Sequence, residues 1–535
     1  MTTARTHLKR AAACAATLLV AGCMVGPDFE RPAPPAAERY TRVPSTLEAR
    51  ATGDALAQRV LPGASPARDW WKAFGSPQID AAVDDALARN RTLAEAEATL
   101  GEALAHAEAR AGALAPQVGA TAGTGRQKYG AQFLGSSPKP PPFTYFAVGA
   151  TVSYALDYTG GVARSVEERY AEADVRRAQL EAARLAVTGN AVVAALRIAA
   201  ARAEIAALET ILDEDRRNLA LVREAFAAGS VSRLDVVSAQ SQLASDATEL
   251  PPLHQALAVA ADELAVLSGK PPAAMATPSL VLASITLPAD LPLTLPSELA
   301  RRRPDILAAE AELHAATANV GVATANLYPQ ITLGATGGLQ STDFAHLFDR
   351  ASSVFGLTGA LVAPILDGGT LRAEKRASEA TLHARLARYE QTVLNAFGQV
   401  ADALEALAHD AELVDAQARA ESAARDNLDL TRRSYQEGNV GVLQVLDAER
   451  GYQRAHLGLV RASAQRYVDT AHLFLALGGG TPVAATVAPR AAAVIPVKAA
   501  AVVPAQAAAV IPAKAAAVIP AKAAAVIPAK AGIQP

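Results

Sequence analysis

The longest regular pattern in the chain runs from about residue 162 to 228, where no proline occurs and apolar side chains return every three or four positions. Val187, Ala191, Ala194, Ile198, Ala201, Ile205, Leu208, Leu212, Leu219, Val222 and Phe226 form one heptad seam, interrupted only by Asp215. Such a seam predicts coiled-coil packing of a single helix. Roughly 65 helical residues at 1.5 Å each make a rod on the order of 100 Å, far longer than a globular core requires. Gly229-Ser230 then turns the chain, and a return helix runs toward Leu267, where Gly269 and Pro271-Pro272 stop it. The same arrangement recurs from about 370 to 437, with a turn at Gly438-Asn439 and a return helix to Leu477-Gly478.

Ahead of each long hairpin the period changes. A shorter helix (about 78–112 and 297–326) begins at start signals, Ser76-Pro77 and Pro296-Ser297. Two strands follow, joined by a polar loop containing Gly and Pro. In the first half Phe146, Val148, Ala150, Val152, Tyr154 and Leu156 alternate with neighbours that include Thr151, Ser153 and Asp157. In the second, Phe355, Leu357, Leu361 and Ile365 lie on one side. Alternation over about ten residues with aromatics near the ends (Phe143, Tyr145, Tyr158; Phe344, Phe348) suits a transmembrane barrel strand. It equally suits a soluble hairpin, and alternation alone does not separate the two.

The two halves are copies. Leu114-Ala-Pro-Gln-Val-Gly-Ala-Thr-Ala-Gly123 returns as Leu327-Tyr-Pro-Gln-Ile-Thr-Leu-Gly-Ala-Thr336, and Leu156-Asp157 with Gly160-Gly161 returns as Leu366-Asp367-Gly368-Gly369. Arg223, Phe226, Gly229, Val231, Leu234 and Val236 return as Arg432, Tyr435, Gly438, Val440, Leu443 and Val445. Three correspondences in one order at a spacing of roughly 210 residues indicate a duplicated half rather than a solenoid. The expected fold is mostly α with a transmembrane β-barrel contribution, each half being a helix, two strands and a long helical hairpin. Four strands per chain cannot close around a usable lumen; a trimer supplies twelve, with the helical hairpins continuing the barrel as an α-helical tunnel.

Composition agrees with long packed helices. The 535 residues are 51% hydrophobic but only 4% aromatic, and a net charge of -3 gives no basic footprint for nucleic acid. Arg5, Lys9 and Arg10 precede a short apolar run, Ala11 to Val20, too short to span a bilayer. Val20-Ala-Gly-Cys23 puts small residues directly before a cysteine, as in a bacterial lipobox, in which Cys23 is acylated and becomes the new N-terminus. A plain signal peptide that contains a cysteine is the alternative. Met24 and the tether with Pro32, Pro34 and Pro35 suit a lipoprotein. No other stretch is apolar enough to be a membrane helix, so any crossing must be a closed barrel. Cys14 lies in the leader, leaving one cysteine and neither a disulfide nor a Cys-based metal site.

Trp70-Trp71-x-x-Phe74-Gly75-Ser76-Pro77-x-Ile79, then Ala86-Leu87-x-x-Asn90, resembles the start of TolC-like outer-membrane efflux factors of the NodT-type lipoprotein branch. Leu295-Pro-Ser-Glu-Leu-Ala-Arg-Arg-Arg-Pro304-Asp305-Ile306, followed by Ala309-Glu310, Leu313, Ala315 and Tyr328-Pro329, resembles that family more specifically, and Pro364-Ile-Leu-Asp-Gly-Gly369 is a further signature. The resemblance runs from about residue 23 to 480 and implies a homotrimer in outer-membrane lipid, with a periplasmic adaptor and an inner-membrane pump of RND type as partners. It divides the chain into a signal peptide (1–22), a lipidated tether and equatorial segment (23–75), a first efflux repeat (76–269), an equatorial linker (270–296), a second repeat (297–480) and a low-complexity tail (481–535).

The resemblance also implies sites. The hairpin tips Gly229, Ser230, Val231 and Leu234, and Gly438, Asn439, Val440 and Leu443, would contact the adaptor; the glycines also read as helix C-caps. Asp235 and Asp447 match positions where the family places acidic residues that constrict the closed tunnel. Gln444 departs from an acidic residue often found at its position, and Val440 from a basic one. No cofactor is implied and catalysis is not expected: the nine histidines are scattered, there is no Walker-type loop, and Glu95/Glu97 or Asp84/Asp85 do not face each other on a helix. From Ala491 an eight-residue unit, Ala-Ala-Ala-Val-Ile-Pro-Ala-Lys, repeats with a helix-breaking proline in each copy and reads as a disordered extension. Three functions fit: efflux of small amphipathic compounds, the exit duct of a protein secretion system, and a periplasmic coiled-coil scaffold without a pore.

Overall fold

A computed structural model describes residues 24–33, 37, 39–42, 58–129 and 141–481. The leader, Cys23 and the repetitive tail lie outside the described residues. In chain order the elements are β1 (Arg59–Pro62), α1 (Pro77–Arg89), α2 (Arg91–Ala111), β2 (Gln117–Gln127), β3 (Phe143–Leu156), α3 (Gly161–Ala227), α4 (Arg233–Ala247), α5 (Leu250–Leu267), β4 (Asp290–Leu293), α6 (Pro304–Ala325), β5 (Gln330–Ser341), β6 (Ser353–Val362), α7 (Thr370–Gln436) and α8 (Val442–Ala476).

The long helices are as the heptads require. α3 and α7 are each 67 residues, about 100 Å at 1.5 Å per residue. Every seam position of α3 is buried except Phe226, and Asp215 is buried among them. The repeated Leu-Asp and Gly-Gly signature is the strand-to-helix turn that starts each rod. Asp157 accepts the backbone N–H groups of Val162 and Ala163 (3.0 and 2.7 Å), and Asp367 accepts those of Gly369 and Leu371 (both 2.9 Å). Each carboxylate thus satisfies donors that the first helical turn leaves open.

Three expected helices are broken. The helix expected over 78–112 divides at Asn90, whose extended backbone ends α1 while its side chain accepts the N–H of Leu93 and donates to the carbonyl of Leu267. The helix expected over 297–326 is a single turn, Pro296–Leu299, followed by α6. The break lies at Arg303, held extended by the following Pro304. Its buried guanidinium forks onto Asp305 and also donates to Gln399 of α7 and to the carbonyl of Ala476 in α8, so the Arg-Pro-Asp motif is a three-helix clasp. The return helix of the first hairpin stops at Ala247 and resumes at Leu250, because Pro251 and Pro252 lack the N–H a continuous helix needs and fit only in a first turn.

The core is a belt where these helices cross. Trp70, Phe74, Ile79, Val83, Leu196, Ile198, Leu264, Leu299, Leu404 and Phe474 are buried in one cluster, with Trp70 stacked on Phe474 at 5.1 Å. A two-stranded parallel sheet of β1 and β4 flanks the belt, and the Tyr40 hydroxyl donates to the carbonyl of Thr294. Tyr40, residues 58–74 and residues 280–294 therefore meet there, with Gly479 beside Trp70.

The other sheet has the order β2-β3-β5-β6, antiparallel throughout, so the hairpins of the two halves are joined edge to edge through β3 and β5. Glycine permits that junction: a Cβ on Gly149 would lie 2.7 Å from the carbonyl oxygen of Gly337, and one on Gly338 would lie 2.4 Å from that of Val148.

Candidate functional site: the sheet wall and the hairpin tips

Residues directly opposite in an antiparallel ladder point to the same face, so the register fixes what each face of the four-stranded sheet displays. Val118, Val152, Ala335 and Leu357 form one row across it, and Ala120, Ala150, Gly337 and Phe355 the next. Tyr154, Leu333 and Gly359 make a third, and Leu156, Ile331 and Leu361 a fourth. The opposite face carries Thr121, Thr151, Ser153, Thr332, Thr336, Gln340 and Thr358 among glycines and alanines, with Val354 and Val362 on the β6 edge and Tyr145 toward one end. Phe355 and Leu357 on the apolar face are 87% and 79% exposed. Among the described residues nothing covers them, and β2 and β6 are edges without a partner strand. A sheet with one wide bare apolar face, one small polar face and two open edges is a segment of a barrel wall, lipid outside and lumen inside. Ile365, expected on the β6 face, lies beyond the strand, which ends at Val362.

At the far ends of the long helices the two tips have one geometry. The N–H of Ser230 bonds back to the carbonyl of Ala225, and that of Asn439 to Ser434, while Gly229 and Gly438 share a φ of 77°. This is a Schellman closure with glycine in the left-handed position. A Cβ at either glycine would meet nothing within 4 Å, so conformation rather than space demands glycine. Ser230 Oγ adds a bond to the carbonyl of Ala225 at 2.8 Å. Leu234 and Leu443 project into solvent beside the turns, with Val231 and Val440 half-buried.

The tips differ in how the return helix starts. Ser232 and Asp235 form a reciprocal capping box: Asp235 Oδ2 accepts from both the N–H and the hydroxyl of Ser232 at 2.8 Å, and Ser232 Oγ accepts the N–H of Asp235. The Ser232 hydroxyl, then its backbone N–H, holds the Asp235 carboxyl below the usual carboxylate range. In α8 the cap is Gly441, without a side-chain bond, and Gln444 takes the position of Asp235. Asp447 is exposed, with Arg450 Nη1 at 3.9 Å. No ion pair or hydrogen bond joins Asp235 to Asp447 among the described residues. Ser232, which the sequence analysis did not single out, belongs with the tip residues, and its Ser-x-x-Asp spacing is the signal that marks it. Arg432 Nη2, which donates to Glu449 at 2.7 Å and ties α7 to α8, carried no such signal.

The sequence matches the family model for outer membrane efflux protein over residues 82–270 and 295–479. The chain belongs to that family. This outer-membrane efflux protein is 34% identical to the pyoverdine export outer membrane protein OpmQ of Pseudomonas aeruginosa, over 78% of this chain and 88% of that protein. It is 30% identical to outer membrane protein OprJ of the same species, over 86% and 94%. Its fold matches the outer-membrane channel OprN with a TM-score of 0.76 at 28% identity, covering 86% of this chain and 99% of that one. It also matches the open state of the Neisseria gonorrhoeae MtrE outer membrane channel with a TM-score of 0.73 at 27% identity, covering 86% and 98%. The family and the efflux-channel fold expected from the sequence hold, and the wall of a barrel replaces the soluble-hairpin alternative. The chain is an outer-membrane efflux channel protein, mostly helical, with four strands given to the barrel.

Proposed function

We propose that this channel is the exit duct of a tripartite efflux machine: a homotrimer with twelve strands in the outer membrane and a helical tunnel in the periplasm. A periplasmic adaptor meets the tips at Gly229, Ser230, Val231, Leu234, Gly438, Asn439, Val440 and Leu443. An inner-membrane pump of RND type supplies the energy, and the duct passes small amphipathic compounds passively. Asp235, Gln444 and Asp447 lie at the level of the periplasmic gate. The observation that carries the reading is the two-faced sheet with open edges, since an unclosed wall in lipid would leave two rows of backbone groups unsatisfied. Relatives named for pyoverdine export and for antibiotic efflux support a small-molecule cargo over a secreted protein. Deletion of the gene should raise accumulation of a fluorescent amphipathic dye, and unchanged accumulation together with loss of a secreted protein would favour the secretion duct instead.

Acylation of Cys23 completes the proposal. The segment just after it is strapped to the rim of the sheet. The Val25 N–H bonds to the carbonyl of Thr159 at 3.0 Å, Phe29 stacks on His314 at 4.4 Å, and Arg31 Nε pairs with Glu310 at 2.6 Å. Met24 packs beside Gly160, four residues past the end of β3, so the described start of the strap lies against the rim of the sheet. Several acyl chains, each contributing about 0.8 kcal/mol per buried CH₂, form a stable anchor. Labelled palmitate should enter the wild type and not Cys23→Ser.

A further inference from the structure

Beside the N-terminal strap the helices leave a cavity of about 480 Å³, within the size range of small-molecule sites. Pro27 of the strap, Val320 and Thr324 of α6, and Lys375, Glu379 and Leu382 of α7 line it. His383, two turns further along α7, lines the end away from the sheet. The strap can wall this space because Gly26 crosses α6 at Gly321. A Cβ on Gly26 would lie 2.5 Å from the Gly321 Cα, so only a glycine brings the two backbones so close. Asp28 on Arg164, Phe29 on His314 and Arg31 on Glu310 then hold the strap in that path. Lys375 Nζ and Glu379 Oε1 stand 3.5 Å apart, both partly exposed, as an opposed pair of charges in one wall. So open a pair contributes little by itself and can part at small cost for a ligand that offers both signs.

The cavity begins just below the sheet. Leu156, Ile331 and Leu361 form the last apolar row before the helices, and Ile365 and Leu366, between β6 and α7, are bare of protein. Hydrocarbon therefore reaches this edge, and the headgroup layer takes the next 5–8 Å or so on each side of a bilayer. Thr324 is the last residue but one of α6, which leads into β5, and Lys375 lies five residues after the start of α7. At 1.5 Å per residue Lys375 is about 8 Å from the start of its helix, and a lysine stem reaches back toward the interface.

We propose that this cavity is a binding site for the headgroup of an aminophospholipid, a phosphate and a primary ammonium on one short linker. Lys375 and the Thr324 hydroxyl take the phosphate, and the Glu379 carboxylate takes the ammonium. Pro27, Val320 and Leu382 pack on the glycerol and the first methylenes. A purely anionic headgroup satisfies Lys375 but meets Glu379 as a like charge, and a trimethylated ammonium has no N–H to give it. The site therefore selects among lipids rather than merely touching them, and it exists only while the strap is seated. Its opening toward lipid, on the outer side of the helices, rests on the reading that the strap runs from an acylated Cys23.

The test titrates the delipidated full-length protein in detergent with phosphatidylethanolamine, phosphatidylglycerol or phosphatidylcholine and counts bound lipid by native mass spectrometry. The wild type should hold phosphatidylethanolamine, up to one molecule per chain, about tenfold more tightly than the other two. Lys375→Gln should lose about tenfold in affinity for it, and Glu379→Gln should bind it no better than phosphatidylglycerol. Arg376→Gln, on the same helix but outside the cavity, should bind as the wild type does. These exchanges sit on an exposed helix surface, and trimer bands on a gel confirm that each variant assembles. Equal binding of the three lipids, a Lys375→Gln protein that keeps the preference, or an Arg376→Gln protein that loses it would overturn the site. No bound lipid in the wild type would do so too, since the cavity is then closed by a neighbouring subunit. Glycerophosphoethanolamine carries the same headgroup without acyl chains; if it competes at equal concentration, the ligand is a free solute and the lipid assignment fails. Palmitate labelling reads the anchor separately. Labelled protein without lipid preference overturns the headgroup site alone, and unlabelled protein with a Lys375-dependent preference supports the site without the anchor.

Discussion

The buried guanidinium of Arg164, at the first turn of the long helix α3, is met by the carboxylate of Asp28, 136 residues earlier in the chain. Glu167 takes the other side of the same guanidinium at 2.8 Å and is itself bonded to His314 of α6. The N-terminal strap is thus part of the charge balance of the barrel rim rather than a loose tether. Asp28→Ala leaves a buried cation with one carboxylate fewer and should lower stability by about 1–3 kcal/mol. The expected readout is a lower temperature for heat dissociation of trimer bands, with residues 24–33 gaining susceptibility to protease.

The apolar face of the sheet should tolerate charge poorly. Leu357→Arg places a guanidinium on the lipid side of β6, where arginine costs about 2–4 kcal/mol near the bilayer midplane. Membrane insertion of the trimer should fall sharply, while Leu357→Ile should insert normally.

At the tips, glycine is required for its backbone alone. Gly229→Ala and Gly438→Ala should each cost about 1 kcal/mol from the positive φ. Amide exchange should quicken in the last turn of α3 or α7 and stay unchanged in the core belt.

The capping box makes one return helix depend on acid strength. Because Asp235 is held below its ordinary range, its contribution is present above the unfolded carboxylate value and is lost as pH falls through the lower folded one. The first turn of α4 should therefore fray below about pH 4, whereas α8, capped by Gly441, should show no matching transition. Ser232→Ala should cost about 1 kcal/mol and bring that fraying to neutral pH. Amide exchange at Arg233 to Asp235 checks both.

Much of this was legible in the sequence because it repeats. The heptad from Val187 to Val222, the turns at Gly229 and Gly438 and the order of elements in each half follow from periodicity, and the structure places them so. The breaks were less legible. Asn90 sits in helix-compatible surroundings, and its contact with Leu267, far away in sequence, holds the bend there, whereas the break at Arg303 had a local signal in Pro304 and only its clasp onto Gln399 and Ala476 was hidden. Pro251-Pro252 carried a clear local signal for the break after Ala247. Asp215 stood out as the one charge in an apolar seam, yet Asp246, the buried carboxylate beside it, lies on another helix without any periodic mark. The sides of the sheet were half legible: alternation showed two faces, but only the register across four strands aligned them into a wall.

Single-channel recording of the purified full-length protein in a planar bilayer, as wild type and as Thr336→Lys, tests the central claim most directly. Thr336 stands on the small polar face, opposite Thr151 and Gly356. The account predicts discrete conductance steps whose cation preference falls in Thr336→Lys, because that face lines the lumen. Discrete steps with unaltered ion preference would contradict the assignment of faces, and an inserted trimer that gives no steps at pH 7.5 or at pH 5 would contradict the channel itself.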